Sequence, residues 1–202
     1  MTLLFVFGPP AVGKMTVGRA IADASDFRLF HNHHVLEPLL DVFDYGTPPF
    51  NRLLNEFRFR VLEEAAGAGI DLVYTLVWGL DLPEDAAYVQ EHIRPFVDGG
   101  QTVAFLELYA DLETRLARNS TPYRLSEKKS KRDLAWSDEN VRGMERCQMN
   151  TGAASPADEL LGAHPHLRID NTHRSPEDVA AEVLTWLASP LPSSGRPPER
   201  NP

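Results

Sequence analysis

Two rhythms of apolar and polar positions alternate along the chain. Short runs dominated by apolar and β-branched residues, at 3–7, 27–30, 71–77, 102–108 and 166–170, are separated by stretches in which apolar residues return every three or four positions. The runs predict strands, and the scarcity of polar residues within them predicts strands covered on both faces, as in a parallel sheet. The stretches between them predict helices. One follows residue 16 and one spans 35–42. A long one begins at Phe50, with Phe50, Leu53, Leu54, Phe57, Val61, Leu62 and Ala65 on one face and Arg52, Arg58 and Arg60 off or beside it. Gly67-Ala68-Gly69 ends that helix, and 43–49 before it is a turn-rich break. Further helices are predicted over 84–97, 111–118, near 138–149 and over 155–161. A last one opens at Ser175-Pro176-Glu177-Asp178, which supplies a cap, a proline in the first position and acids in the first turn. Strands alternating with helices predict an α/β fold: a five-stranded parallel sheet with helices on both faces.

The first strand runs into Gly8-Pro9-Pro10-Ala11-Val12-Gly13-Lys14-Met15-Thr16, and a helix follows at once. Gly8, Gly13 and Lys14 reproduce the GxxxxGK core of the Walker A motif, the P-loop, in the strand, loop and helix setting that motif needs. Backbone N–H groups and a helix N-terminus there surround a β-phosphate, and the lysine reaches the β- and γ-oxygens. Residues 8–16 are the candidate nucleotide-binding residues, with ATP and Mg2+ as the implied cofactors. The next position of the motif, which puts a Ser or Thr hydroxyl on Mg2+, holds Met15. A thioether is a soft donor and Mg2+ a hard, oxygen-seeking ion. The hydroxyl arrives one residue later at Thr16, the candidate metal residue, for which donation to an α-phosphate is the competing role.

Composition narrows the class. With 202 residues and 43% apolar content the chain suits one P-loop domain over 1–188, followed at 189–202 by a proline-rich tail expected to be disordered. No run approaches the roughly 18 apolar residues of a membrane span, and the first strand begins without a charged leader, so a cytoplasmic protein without a membrane partner is expected. The single cysteine, Cys147, leaves no pair for an intramolecular disulfide. A net charge of −9 argues against general nucleic-acid binding. Against that balance, seven of the twenty Lys and Arg residues fall between 115 and 132: Arg115, Arg118, Arg124, Lys128, Lys129, Lys131 and Arg132. The segment has few residues able to build a core and reads as a basic lid, about 119–137, for a specific anion.

Other candidates sit just past strand ends, where open parallel sheets bind ligands. His31-Asn32-His33-His34 follows the second strand. Strand parity would point His31 and His33 the same way and His34 the other, and with no acidic or cysteine partner read at helical spacing, substrate contact by His31 or His33 is expected rather than zinc. Trp78 and Asp81 follow the third strand, Asp81 being a candidate for substrate, metal or helix cap. Glu107 interrupts the fourth strand and needs a partner, either as a water-linked magnesium carboxylate or in an ion pair with an arginine.

The phosphate loop, the Arg115-Leu116-Ala117-Arg118 helix end and the basic segment after it resemble the P-loop kinases of nucleoside monophosphates and small molecules, over nearly all of residues 1–188. The chain is most similar to the small-molecule branch that includes shikimate kinase, gluconate kinase, chloramphenicol phosphotransferase and the tunicamycin-resistance proteins. That resemblance implies an ATP-dependent phosphotransferase acting on a hydroxyl of a sugar, nucleoside or antibiotic, with antibiotic resistance among the possible roles. In that branch the second strand commonly ends in an Asp-containing motif that binds or deprotonates the acceptor; here the place is taken by His31-Asn32-His33. By the same resemblance Lys14, Arg118 and Arg124 serve the transferring phosphoryl group. Arg115 and the loop Asp170-Asn171-Thr172 face the nucleotide, and His31, His33, Arg58, Trp78 and Asp81 face the acceptor. A nucleoside monophosphate kinase and a resistance protein that sequesters its ligand are the competing readings.

Overall fold

The structure is a computed structural model and describes residues 1–120 and 134–190. In chain order it comprises β1 (Thr2–Phe7), α1 (Lys14–Asp23), β2 (Arg28–His31), α2 (His33–Leu40), α3 (Pro48–Gly67), β3 (Leu72–Thr75), α4 (Pro83–Asp98), β4 (Thr102–Tyr109), α5 (Leu112–Asn119), α6 (Leu134–Gly143), a 3-10 turn (Met144–Arg146), α7 (Asp158–Gly162), β5 (His166–Asp170) and α8 (Pro176–Ala188). The strands form one parallel sheet in the order β2-β3-β1-β4-β5, so the strand that leads into the phosphate loop is central.

Both faces of the sheet are covered. Leu3, Phe5 and Phe7 of β1 with Val103 and Phe105 of β4 pack beneath α3 and α4, against Leu54, Leu62, Val89, Ile93 and Phe96. Leu4 and Val6 with Ala104 and Leu106 face α1 and α8, against Val17, Ile21, Val179 and Val183. Each fully buried side chain of this size contributes roughly 1.5–3 kcal/mol, so two continuous apolar layers hold the carboxyl edge of the sheet rigid. Gly18 lets α1 lie close on the sheet, because a Cβ there would be 2.8 Å from the Leu29 side chain and 3.3 Å from that of Val73. Ser175 caps α8 as its sequence suggests, its hydroxyl accepting from the Asp178 amide at 3.1 Å.

Three elements differ from the sequence reading. The buried face of α3 is Phe50, Leu54, Arg58, Leu62 and Ala66, a four-residue stride with Ala65 beside it, while Phe57 is 54% exposed. Arg58 thus lies on the inner stripe, since its long stem fills an apolar position as well as a leucine would. The strand β2 ends at His31 and α2 begins already at His33, so strand parity does not govern the histidines. The helix expected near 138–149 runs instead from 134 to 143 and tightens into the 3-10 turn. Arg124, Lys128 and Lys131 of the expected lid, and the tail from 191, lie outside the described residues.

Candidate functional site

Because all five strands run the same way, Phe7, His31, Thr75, Tyr109 and Asp170 mark one edge of the sheet, and the crevice beyond it is the place for a ligand. The loop at its centre is held in unusual backbone conformations. Gly8 has φ +131°, and a Cβ on it would lie 2.3 Å from the Leu108 carbonyl oxygen. Gly13 has φ +107° at the cap position of α1, and Ala11 adopts φ +62° despite its Cβ, a cost on the order of 1 kcal/mol that the surroundings must impose. Pro9 and Pro10 carry no amide hydrogen, so the donors for a phosphate come from residue 11 onward. The Lys14 ammonium folds back over the loop, donating to the carbonyls of Gly8 (2.6 Å) and Pro9 (2.9 Å).

A second set of bonds ties this loop to its neighbours. Arg118, at the end of α5, donates to the carbonyls of Val12 (3.1 Å), Asn171 (2.7 Å) and Thr172 (3.2 Å), and Asn171 donates through Nδ2 to the same Val12 carbonyl at 2.9 Å. Hydrogen bonds therefore tie the P-loop, α5 and the loop after β5 together, and Asn171 stands beside the phosphate loop with Asp170 and Thr172 on either side of it in sequence. The Asp170 carboxyl is held below its ordinary range by the Thr172 hydroxyl and amide, and that of Asp111 by the amide and side chain of Thr114. Arg118 is here a positioning residue that braces the loop. Arg115 is 3% exposed and built into the fold, with Nε on the Ala110 carbonyl (3.1 Å) and Nη2 on Glu145 (2.6 Å), so the expected nucleotide contact by Arg115 is replaced by an ion pair beneath α5. Asn119, fully buried between Asp138 (2.6 Å) and Ser137 (3.1 Å), joins α5 to α6; its type and place in the sequence carried no signal of this.

The other wall of the crevice is made by β2, α2, α3 and α4. His31 is 4% exposed and its ring lies against that of His34, with centroids 3.6 Å apart, while His33 Nδ1 is 2.8 Å from Glu37, its acidic partner one helical turn on. The pairing of His31 with His34, not His33, follows from the start of α2 at residue 33. Among the described residues no group of three or more His, Cys, Asp or Glu is arranged to hold a metal ion. Arg58 reaches this end of β2: it donates to Asn32 Oδ1 and, at 3.0 Å, to the Tyr88 hydroxyl, which in turn donates to Asn55 at 3.1 Å. Among the described residues its hydrogen-bond partners are neutral, and Arg58 Nε, the Tyr74 hydroxyl and His92 Nε2 are buried without a hydrogen-bond partner. Burial raises the pKa of Tyr74 and lowers that of His92, whose Nδ1–H donates to the Tyr88 carbonyl at 2.8 Å. Tyr74 and Tyr88 were not candidates. His92 lies on the apolar stripe Val89, Ile93, Phe96, which was the signal for it.

Trp78, expected at the substrate, belongs to the framework instead, while Asp81 is exposed. Trp78 is fully buried among Phe5, Phe7 and Phe105, with ring centroids 5.2–6.1 Å away, because the chain beyond β3 turns under the sheet face rather than into the crevice. Asp81 accepts from the Gln148 amide at 3.1 Å, and Leu82, not Asp81, holds the cap position of α4. Glu107 resolves as an ion-pair partner: fully buried, it lies 3.0 Å from His166 and 3.3 Å from Arg168 and accepts from Asn150 (2.9 Å) and from the Thr151 amide and hydroxyl (2.9 and 2.7 Å). Burial alone would raise its pKa, but these bonds outweigh it and hold the carboxyl below its ordinary value.

The loop fits the phosphates of a nucleotide: a left-handed glycine turn, a helix N-terminus and a lysine converge there. It does not fit a magnesium ion in the usual way. Met15 is 8% exposed, so hydrocarbon and sulfur lie where the motif presents a hydroxyl, and Glu107 is already committed elsewhere.

No family model matches the chain, and none of the curated proteins does. Solved structures do. A candidate kinase from Chloroflexus aurantiacus superposes with a TM-score of 0.62 at 19% identity over 92% of this chain and 95% of that one. A shikimate kinase from Acinetobacter baumannii in complex with shikimate gives 0.56 at 19% identity over 92% of each chain. The tunicamycin resistance protein of Deinococcus radiodurans gives 0.54 at 13% identity over 95% of this chain and 98% of that one. The fold is that of the α/β P-loop NTPases. The two kinase structures and the tunicamycin resistance protein share that fold with this chain over 92–95% of its length. Among the described residues no helix is long and apolar enough to cross a membrane.

Proposed function

We propose that the protein is an ATP-dependent phosphotransferase acting on a hydroxyl of a small molecule, with an anionic group on the acceptor. The observation that carries this reading is the juxtaposition of a braced phosphate loop with a crevice wall in which Arg58 is buried among neutral partners. A buried guanidinium without an acid is costly, and a ligand carboxylate or phosphate would offset that cost with a charge-assisted pair. Lys14 would span the β- and γ-phosphates, backbone amides of 11–15 would hold the β-phosphate, and Asp170, Asn171 and Thr172 would border the nucleotide. His31 would orient the acceptor hydroxyl and accept its proton near neutral pH, with His33 as a neighbour able to take its place. Arg124, outside the described residues, would neutralise charge on the moving phosphoryl group.

The test is transfer of labelled phosphate from ATP to a panel of sugar acids, neutral sugars, nucleosides, nucleoside monophosphates and antibiotics. Product from an acidic hydroxyl compound, abolished by Lys14→Ala and by His31→Ala while the latter still binds ATP, supports the reading. Equal loss of ATP affinity in both variants argues against the roles assigned. A second reading, binding of nucleotide and ligand without transfer, is favoured by Met15; tight ATP binding with no product from any acceptor supports it. A localisation in the cytoplasm agrees with either reading and is tested by fractionation.

A further inference from the structure

We infer that this loop binds its nucleotide without drawing on a divalent metal, and that Met15 is the reason. The inference rests on the reading of the loop as a nucleotide site. In a P-loop the hydroxyl after the lysine is the protein's own oxygen on Mg2+, and it links metal to nucleotide affinity. Here that position is a buried thioether, 8% exposed, which a hard cation does not recruit.

Among the described residues no nearby carboxylate is free to replace it. Glu107, on the strand beside the loop, has both oxygens within bonding distance of Thr151, Asn150 and His166. Asp111 caps α5 through the Thr114 amide at 2.7 Å, Asp170 accepts from the amide (2.9 Å) and hydroxyl (2.6 Å) of Thr172, and Asp81 accepts from Gln148. What the loop does offer is indifferent to metal: backbone amides, the positive end of α1 and the Lys14 ammonium. The nucleotide's charge would be met by these groups, without a protein ligand to a metal.

Calorimetric titration of ADP and of a non-hydrolysable ATP analogue, in EDTA and in millimolar Mg2+, tests this on the wild-type chain and on Met15→Ser and Thr16→Ala. The wild-type dissociation constants should agree within about twofold between the two conditions, whereas Met15→Ser should bind about tenfold or more tightly with Mg2+ than without. A wild-type chain that gains tenfold from Mg2+ overturns the inference, and loss of that gain in Thr16→Ala would assign the metal to Thr16. Wild-type indifference with no gain in Met15→Ser overturns the assignment to Met15. No nucleotide binding in any condition overturns this inference together with the nucleotide site, and is distinguished from the other outcomes by the absence of heat in EDTA as well.

Discussion

The two walls of the crevice are built by opposite means. On the nucleotide side the shape is made by backbone: left-handed glycines, a helix start, and Arg118 and Asn171 bonded to main-chain carbonyls. On the proposed acceptor side it is made by side chains, and there polar atoms of Arg58, Tyr74 and His92 are buried without hydrogen-bond partners among the described residues. A backbone site is indifferent to most substitutions and serves one ligand, a polyphosphate. A site made of side chains is open to change residue by residue, and its unsatisfied polar atoms are where a ligand of matching polarity would complete the set.

If that contrast holds, the largest effects follow from breaking the backbone side. Lys14→Ala should lower transfer by about a thousandfold or more, as removal of a charge-stabilising donor does, with the melting temperature little changed. The kcat/KM for any acceptor found in the panel checks it; a loss below about tenfold would mean that the lysine does not face the phosphates. Gly8→Ala should instead damage the fold, by about 2–4 kcal/mol, because the added Cβ meets the Leu108 carbonyl at 2.3 Å and the backbone φ of +131° resists a side chain. Urea unfolding of the variant measures it, and an unchanged midpoint would show that β1 and β4 can separate at their carboxyl ends.

The acceptor side should behave in reverse, losing function without losing stability. Arg58→Met removes a buried cation whose partners are all neutral, so the folded state should be as stable or more so. The KM for an acidic acceptor should rise about 10–100-fold, and that for ATP should not move. A fall in stability comparable to that of Gly8→Ala would make Arg58 a structural residue and remove the main support for an anionic acceptor.

The same contrast explains what could be read from the chain. The sheet, its helices and the phosphate loop were legible because each rests on short-range signals: apolar runs, stripe spacing and glycines at fixed offsets. The acceptor wall was legible only in part. Arg58 was set off or beside the apolar stripe and against the acceptor, while its stem in fact occupies the Leu54–Leu62 stride. Trp78 was placed in the crevice by position after a strand, but its ring packs under the sheet against Phe7, a tertiary choice with no local signature. The resemblance set Arg115 against the nucleotide and Arg118 against the transferring phosphoryl group, whereas their bonding to Glu145 and to main-chain carbonyls depends on partners up to 106 residues away in sequence.

The smallest effect isolates one orphaned atom of the acceptor wall. His92 is 2% exposed, and burial, its first cause, with Arg58 nearby as another, holds its pKa below the ordinary 6.5 while the Tyr88 carbonyl opposes the shift. Its imidazole is therefore neutral in the folded protein near pH 7, with the proton on Nδ1. As pH falls below 6.5 the unfolded chain takes up a proton before the folded one does, so the contribution of His92, fully present above 6.5, is lost as pH falls through the lower folded value. His92→Asn keeps a donor for the Tyr88 carbonyl and removes the titration. Urea unfolding at pH 7.5 and 5.5 should show a stability loss about 1 kcal/mol smaller in the variant than in the parent. His164, also lowered by burial but placed beside β5, is the control: if His164→Asn flattens the profile and His92→Asn does not, the acid sensitivity lies outside the acceptor wall.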